Sequence, residues 1–141
     1  KVASFAEKYP NSPLRRNALG TLVNTFANAG DADGARKYYS LYASQWPDDA
    51  IMMNNYAWTC AGKTINLDHA AEVSEKAVAL AKTDNERAMY LDTQATVEFK
   101  RGNAQRAILL EEQALSNRKN STPKERNEYE DTLEKFKAGK K

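Results

Sequence analysis

Catalysis near neutral pH needs an activated nucleophile, a group that titrates there, or a set of metal ligands, and this sequence holds few of each. Cys60 is its only cysteine and His69 its only histidine. They fall on consecutive helical segments, with a loop between them. A thiol is reactive when it is exposed beside positive charge. Cys60 reads instead as a small apolar side chain inside a helix pair. His69 stands at the start of a helix and reads as a surface side chain, because no partner of the right type lies near it to complete a metal site. Glu111-Glu112 and Glu128-x-Glu130-Asp131 are rich in carboxylates, but adjacent helical positions do not face one site. There is no phosphate-binding glycine loop. No catalytic residue, cofactor or metal site is expected, and the chain is not read as an enzyme.

Composition agrees with a single domain. The chain has 141 residues, is 41% hydrophobic and 28% charged, and carries a formal net charge of +2. No basic block forms a nucleic-acid footprint. From Arg118 onward, Lys and Arg mix with Glu125, Glu128, Glu130, Asp131 and Glu134, which reads as a solvated helix face. No apolar run approaches the length of a membrane span. One cysteine cannot form an internal disulfide, which leaves the redox compartment open. The chain starts at Lys1 without a methionine and is expected to be a piece of a longer protein.

Helices are expected throughout, in pairs. A small residue recurs inside the second helix of each pair: Ala35, followed by Tyr39 and Tyr42; Ala70, followed by Ala77; and Ala107, followed by Ala114. The intervals between them are 35 and 37 residues. Leu19, Leu22 and Phe26 line one face of a first helix at spacings of three and four. Gly30-Asp31 breaks it, and Pro47 ends the pair. The second unit opens at Asp49, a plausible N-cap, and its first helix stops at Gly62-Lys63-Thr64. The third runs from Tyr90 past Gly102, with Glu98 where an aromatic is usual and Phe99 beside it. Thr122-Pro123-Lys124-Glu125 combines an N-cap, a proline at the first helical position and a capping-box glutamate. The helix after it carries Tyr129, Leu133 and Phe136 on one stripe. Lys140-Lys141 is expected to be disordered.

These residues resemble the tetratricopeptide-repeat family, from about Arg16 to Ser116. Leu19 takes the place of the usual tryptophan and Val23 that of the small residue. The resemblance implies an all-α solenoid of antiparallel helix pairs, with seven or so helices. Its parts would be the tail of a preceding repeat (1–12), three repeats (13–47, 48–82 and 83–119) and a capping helix (120–138). In that family the first helix of each pair lines a concave groove. The groove would then show Asn17, Thr21, Asn24 and Asn28 from the first unit, and Asn54, Asn55 and Trp58 from the second. The third would add Asp92, Thr93, Thr96 and Lys100. Asparagine amides both donate and accept, so they can pair with the backbone of an extended peptide. The asparagines equally suit a solvated surface, and Trp58 suits the core better than the groove.

The implied partner is a protein or peptide, with no nucleic acid and no membrane. An acidic chain terminus is not expected: Asn24 and Asn55 fall on the asparagine positions of a carboxylate clamp, but Gly20, Met89 and Thr93 stand where its cations should be. The alternative role is a spacer or dimerisation arm beside a catalytic domain. Asn54-Asn55-Tyr56-Ala57-Trp58 and Tyr90-Leu91-Asp92-Thr93 resemble helical-repeat tails that accompany thioredoxin-like domains in exported bacterial proteins. That likeness implies a periplasmic location; without it a cytoplasmic one is expected.

Overall fold

A computed structural model describes residues 2–118 and 121–139, so the expectation for Lys140-Lys141 lies outside the described residues. Among these the chain forms eight α-helices and no strand. They are α1 (Val2–Lys8), α2 (Arg15–Asn28), α3 (Ala32–Gln45), α4 (Ala50–Lys63), α5 (Leu67–Leu80), α6 (Asp84–Lys100), α7 (Ala104–Ser116) and α8 (Pro123–Lys137).

Local chemistry sets most of the boundaries. The Asp31 side chain accepts from Gly34 N at 2.9 Å, that of Asp49 from Met52 N at 3.1 Å and that of Thr83 from Glu86 N at 3.1 Å. Each satisfies an amide that the first turn of a helix leaves without a partner. At the start of α8 the Thr122 hydroxyl accepts from Glu125 N, and the Glu125 carboxylate accepts from Thr122 N at 2.9 Å, which completes the capping box. Helices α2 and α6 end alike. Asp31 N donates to Phe26 O and Asn103 N to Glu98 O, both at 2.9 Å, around Gly30 (φ 77°) and Gly102 (φ 93°). Only a left-handed residue closes this turn, and glycine enters it without a Cβ clash.

Helix α4 ends within Gly62-Lys63-Thr64, as expected, but not at its glycine. Gly62 stays inside the helix, and the left-handed residue is Thr64, at φ 55°. Ile65 N still reaches Cys60 O at 3.0 Å, so the closing bond is kept with a residue that strains to make it. Asn66 is also left-handed, at φ 47°. Its amide donates to Ala32 O at 2.8 Å and to the Tyr56 hydroxyl at 3.2 Å, tying this loop to the start of α3.

Helices α2 and α3, α4 and α5, and α6 and α7 pack as pairs, and α2, α4 and α6 lie side by side. Ala35, Ala70 and Ala107 have no exposed surface, which suits close helix crossings. Tyr39 of α3 stacks on Tyr56 of α4, ring centroids 4.3 Å apart. The core falls into two clusters. The larger runs from Ala6 to Val97, and the smaller gathers Leu91, Ala95 and Phe99 with Ala107, Leu110, Ala114 and Phe136. Helix α8 packs on α7, and its Phe136 stacks on Phe99 at 4.7 Å. Phe99 thus points into a core, while Glu98 is buried beside it and held by Arg101 (2.8 Å) and Asn103 (2.7 Å). No helix among the described residues is long and apolar enough to cross a membrane.

Candidate functional site

The side-by-side helices α2, α4 and α6 place most of the expected groove residues on or near the surface. On α2, Asn17, Thr21, Asn24 and Asn28 are all exposed, at spacings of four, three and four, so they form one stripe. On α4 the exposed stripe is Ile51, Asn55 and Trp58. Trp58 is 51% exposed, so the core does not take it up, and Ile51 is 64% exposed. Asn54 is half-buried, and its carbonyl oxygen has no partner. Beyond the first turn of α6 Met89 is exposed, with Asp92, Thr96 and Lys100 half-buried. Thr93 departs from the expectation. It is buried and its hydroxyl donates to Met89 O at 3.3 Å, so it does not face solvent with the others. The Thr96 hydroxyl likewise donates to its own helix, at Asp92 O. Asp92 turns its carboxyl toward Glu111 of α7.

An open cleft of about 460 Å³ lies between α2 and α4, where Asn17, Thr21 and Asn24 face Ile51 and Met52. Its floor is held by Asp49, which joins three helices. Besides capping α4, the Asp49 carboxylate accepts from the Tyr42 hydroxyl of α3 at 2.5 Å and from the Arg16 guanidinium of α2 at 2.6 Å. Arg16 also donates to the Tyr42 oxygen at 2.9 Å and lies 5.4 Å from the Trp46 ring centre. Burial pushes the Asp49 pKa up, but the bonds from Tyr42, Arg16 and Met52 N outweigh it, so the carboxyl stays below its ordinary range. Burial raises the Tyr42 hydroxyl, which remains a neutral donor.

Cys60 and His69 are both drawn into packing. Cys60 is buried, and burial pushes its thiol up to about 11, so the thiolate is scarce at neutral pH. His69 is not a free surface side chain. Its Nδ1 lies 2.9 Å from the Tyr56 hydroxyl, and its ring sits edge-on to Tyr39 and Tyr56. Burial lowers its pKa, so the ring is neutral there. Among the described residues, no three His, Cys, Asp or Glu side chains converge as a metal site would require.

Sequence reasoning does not single out Ile51 or the Asp49 junction, and it names Met89 only as standing where a clamp cation should be. Ile51 and Met89 carry a signal only once α2, α4 and α6 are known to share a face. Asp49 reads from the sequence as a cap alone. Compared with known proteins, the chain matches no family profile and no curated protein sequence.

Proposed function

We propose that α2 to α7 form three helix-pair repeats of the tetratricopeptide type closed by α8, and that the face of α2, α4 and α6 holds a segment of another protein. The observation that carries this reading is Trp58, half-exposed on the central helix, with Ile51 and Asn55 on the same stripe and Asn24 on the helix beside it. Tryptophan supplies a large apolar area with an N–H at its edge, the type of residue around which binding energy concentrates. The neighbouring amides can pair with a peptide backbone whatever its side chains. The side-by-side first helices and the matching turns around Gly30 and Gly102 support the repeat reading. Burial of Cys60 and the packing of His69 favour binding over catalysis.

The test is capture of a binder with the whole chain, peptide mapping, and titration against variants. Trp58→Ala should weaken binding by about 30-fold or more, the loss expected of a buried anchor worth about 2 kcal/mol. The pair Asn24→Ala and Asn55→Ala should weaken it further, with only slight dependence on salt because few ion pairs are involved. Unchanged affinity in both, or contacts confined to α3, α5 and α7, would favour the spacer or dimerisation arm instead.

A further inference from the structure

Glu111 of α7 has no exposed surface, and among the described residues no amide, hydroxyl or cation bonds to either of its carboxyl oxygens. The side chain set against it is a second acid, Asp92 of α6: Leu91 and Ala95 on either side of Asp92 share one core cluster with Leu110 and Ala114 on either side of Glu111 and with Phe136 of α8. Helix α8 contributes Glu128 and Tyr129 to the surroundings, and Arg118 follows α7. The Arg118 guanidinium is engaged elsewhere through its two terminal nitrogens, while its buried Nε has no partner among the described residues and bonds to neither acid. It donates to Asn85 at 2.9 Å, lies 3.3 Å from Glu125, and stacks on the Tyr129 ring at 5.5 Å. It therefore leaves the two acids to one another.

Two carboxylates cannot bond to each other, because both only accept. One retained proton changes this: the protonated acid donates to the other, and a buried repulsion becomes a charge-assisted bond. We propose that Asp92 and Glu111 share one proton, and that this proton keeps α8 seated over α6 and α7, so that losing it to solvent as pH rises releases α8. The burial of both groups acts in the same direction. Burial first, and then Asp92, raises Glu111 to about 10, and burial first raises Asp92. Glu128, which faces the pair from α8, adds negative charge that also favours the protonated form. The Tyr129 hydroxyl is itself raised by burial and stays neutral over the same interval.

The sign of the linkage follows. With α8 released the acids regain ordinary pKa values, while under α8 they hold a proton. Seating is therefore firmest at or below the ordinary carboxyl range and weakens as pH rises toward the raised value. For one proton the change is at most about tenfold in the seating equilibrium per pH unit. Release uncovers Phe99 and Leu110, together with Phe136 on α8 itself, so the device converts a rise in pH into apolar surface at this end of the molecule.

Carbon-13 NMR of the side-chain carboxyls of the whole chain between pH 4 and 10 reads the titration directly. Hydrogen-exchange protection factors of the α8 amides read the seating. One carboxyl should titrate well above all others, with α8 protection falling over the same interval and α2 and α4 unaffected. In Glu111→Gln the amide donates to Asp92 without a proton to lose, so α8 protection should become flat with pH. Tyr129→Phe should leave the wild-type dependence intact. Should Glu111→Gln fold poorly, Asp92→Asn offers the same amide donor from the other side. Carboxyls that all titrate in the ordinary range, flat α8 protection in the wild type, or an unchanged slope in these amide variants would overturn the proposal.

Discussion

Gly34 and Gly62 both lie inside helices, and replacing each with alanine should move stability in opposite directions. In an open helical position, Gly→Ala stabilises by about 1 kcal/mol through backbone entropy and helix propensity. Gly62 of α4 is such a position: a Cβ built there meets nothing within 4 Å. Gly34 in the first turn of α3 is not. Its Cβ would stand 2.4 Å from Cδ1 of Phe26, 2.8 Å from Cγ and 3.0 Å from Cε1. The ring must retreat by about 1 Å to restore ordinary contact, and it is stacked against Tyr38 with centroids 5.2 Å apart. Overpacking costs about 1–3 kcal/mol, and disturbing an aromatic pair forfeits about 0.5–1.5 kcal/mol. Set against the propensity gain, Gly34→Ala should destabilise by about 0.5–3.5 kcal/mol, while Gly62→Ala stabilises by about 1 kcal/mol. Urea unfolding followed by tryptophan fluorescence measures both. Combining Gly34→Ala with Phe26→Leu should remove most of the coupling, because the smaller side chain can yield. A neutral or stabilising Gly34→Ala, or a cost that persists in full in the Phe26→Leu background, would refute the steric argument.

Thr64→Gly should stabilise by about 0.5–1 kcal/mol, since the left-handed residue loses its Cβ clash at a smaller cost in backbone entropy; a lowered melting temperature would contradict this. Asp49 has a folded pKa below its unfolded value, so its stabilisation is present above the unfolded carboxyl range and is lost as pH falls through the folded value. Asp49→Asn should therefore melt lower than wild type at pH 7 and lose part of the wild type's decline as pH falls below the ordinary carboxyl range, as melts on both sides of that range would show. Phe136→Ala should cost about 3–5 kcal/mol by unstacking Phe99, and should promote self-association on size-exclusion chromatography as that surface is uncovered.

Much of the architecture is legible in the sequence because it depends on neighbours in the chain. Asp31, Asp49, Thr83 and Thr122 cap helices through amides only three residues away, and of these Asp49 and Thr122 are readable as caps. Gly30 and Gly102 end helices through bonds within six residues, and the spacing of Ala35, Ala70 and Ala107 marks the buried side of each second helix. The exposed stripe on α2 follows from helical period alone. What cannot be read involves groups distant in sequence. Trp58 reads from the sequence as a core residue, and only the packed structure shows it half-exposed while Tyr39, Tyr56 and Tyr90 are buried. Thr64 and not Gly62 takes the left-handed turn, in a loop that Asn66 ties to Ala32 across 34 residues. Asp49 joins Arg16 and Tyr42 only when three helices meet. Glu111 looks like any solvated glutamate beside Glu112, and only the packing of α6, α7 and α8 shows that it is buried. Short-range hydrogen bonds and periodicity are properties of the chain, and so the sequence determined the helices and their ends. Which side chains share a dielectric and a proton depends on which helices lie against each other, and that only the tertiary structure decided.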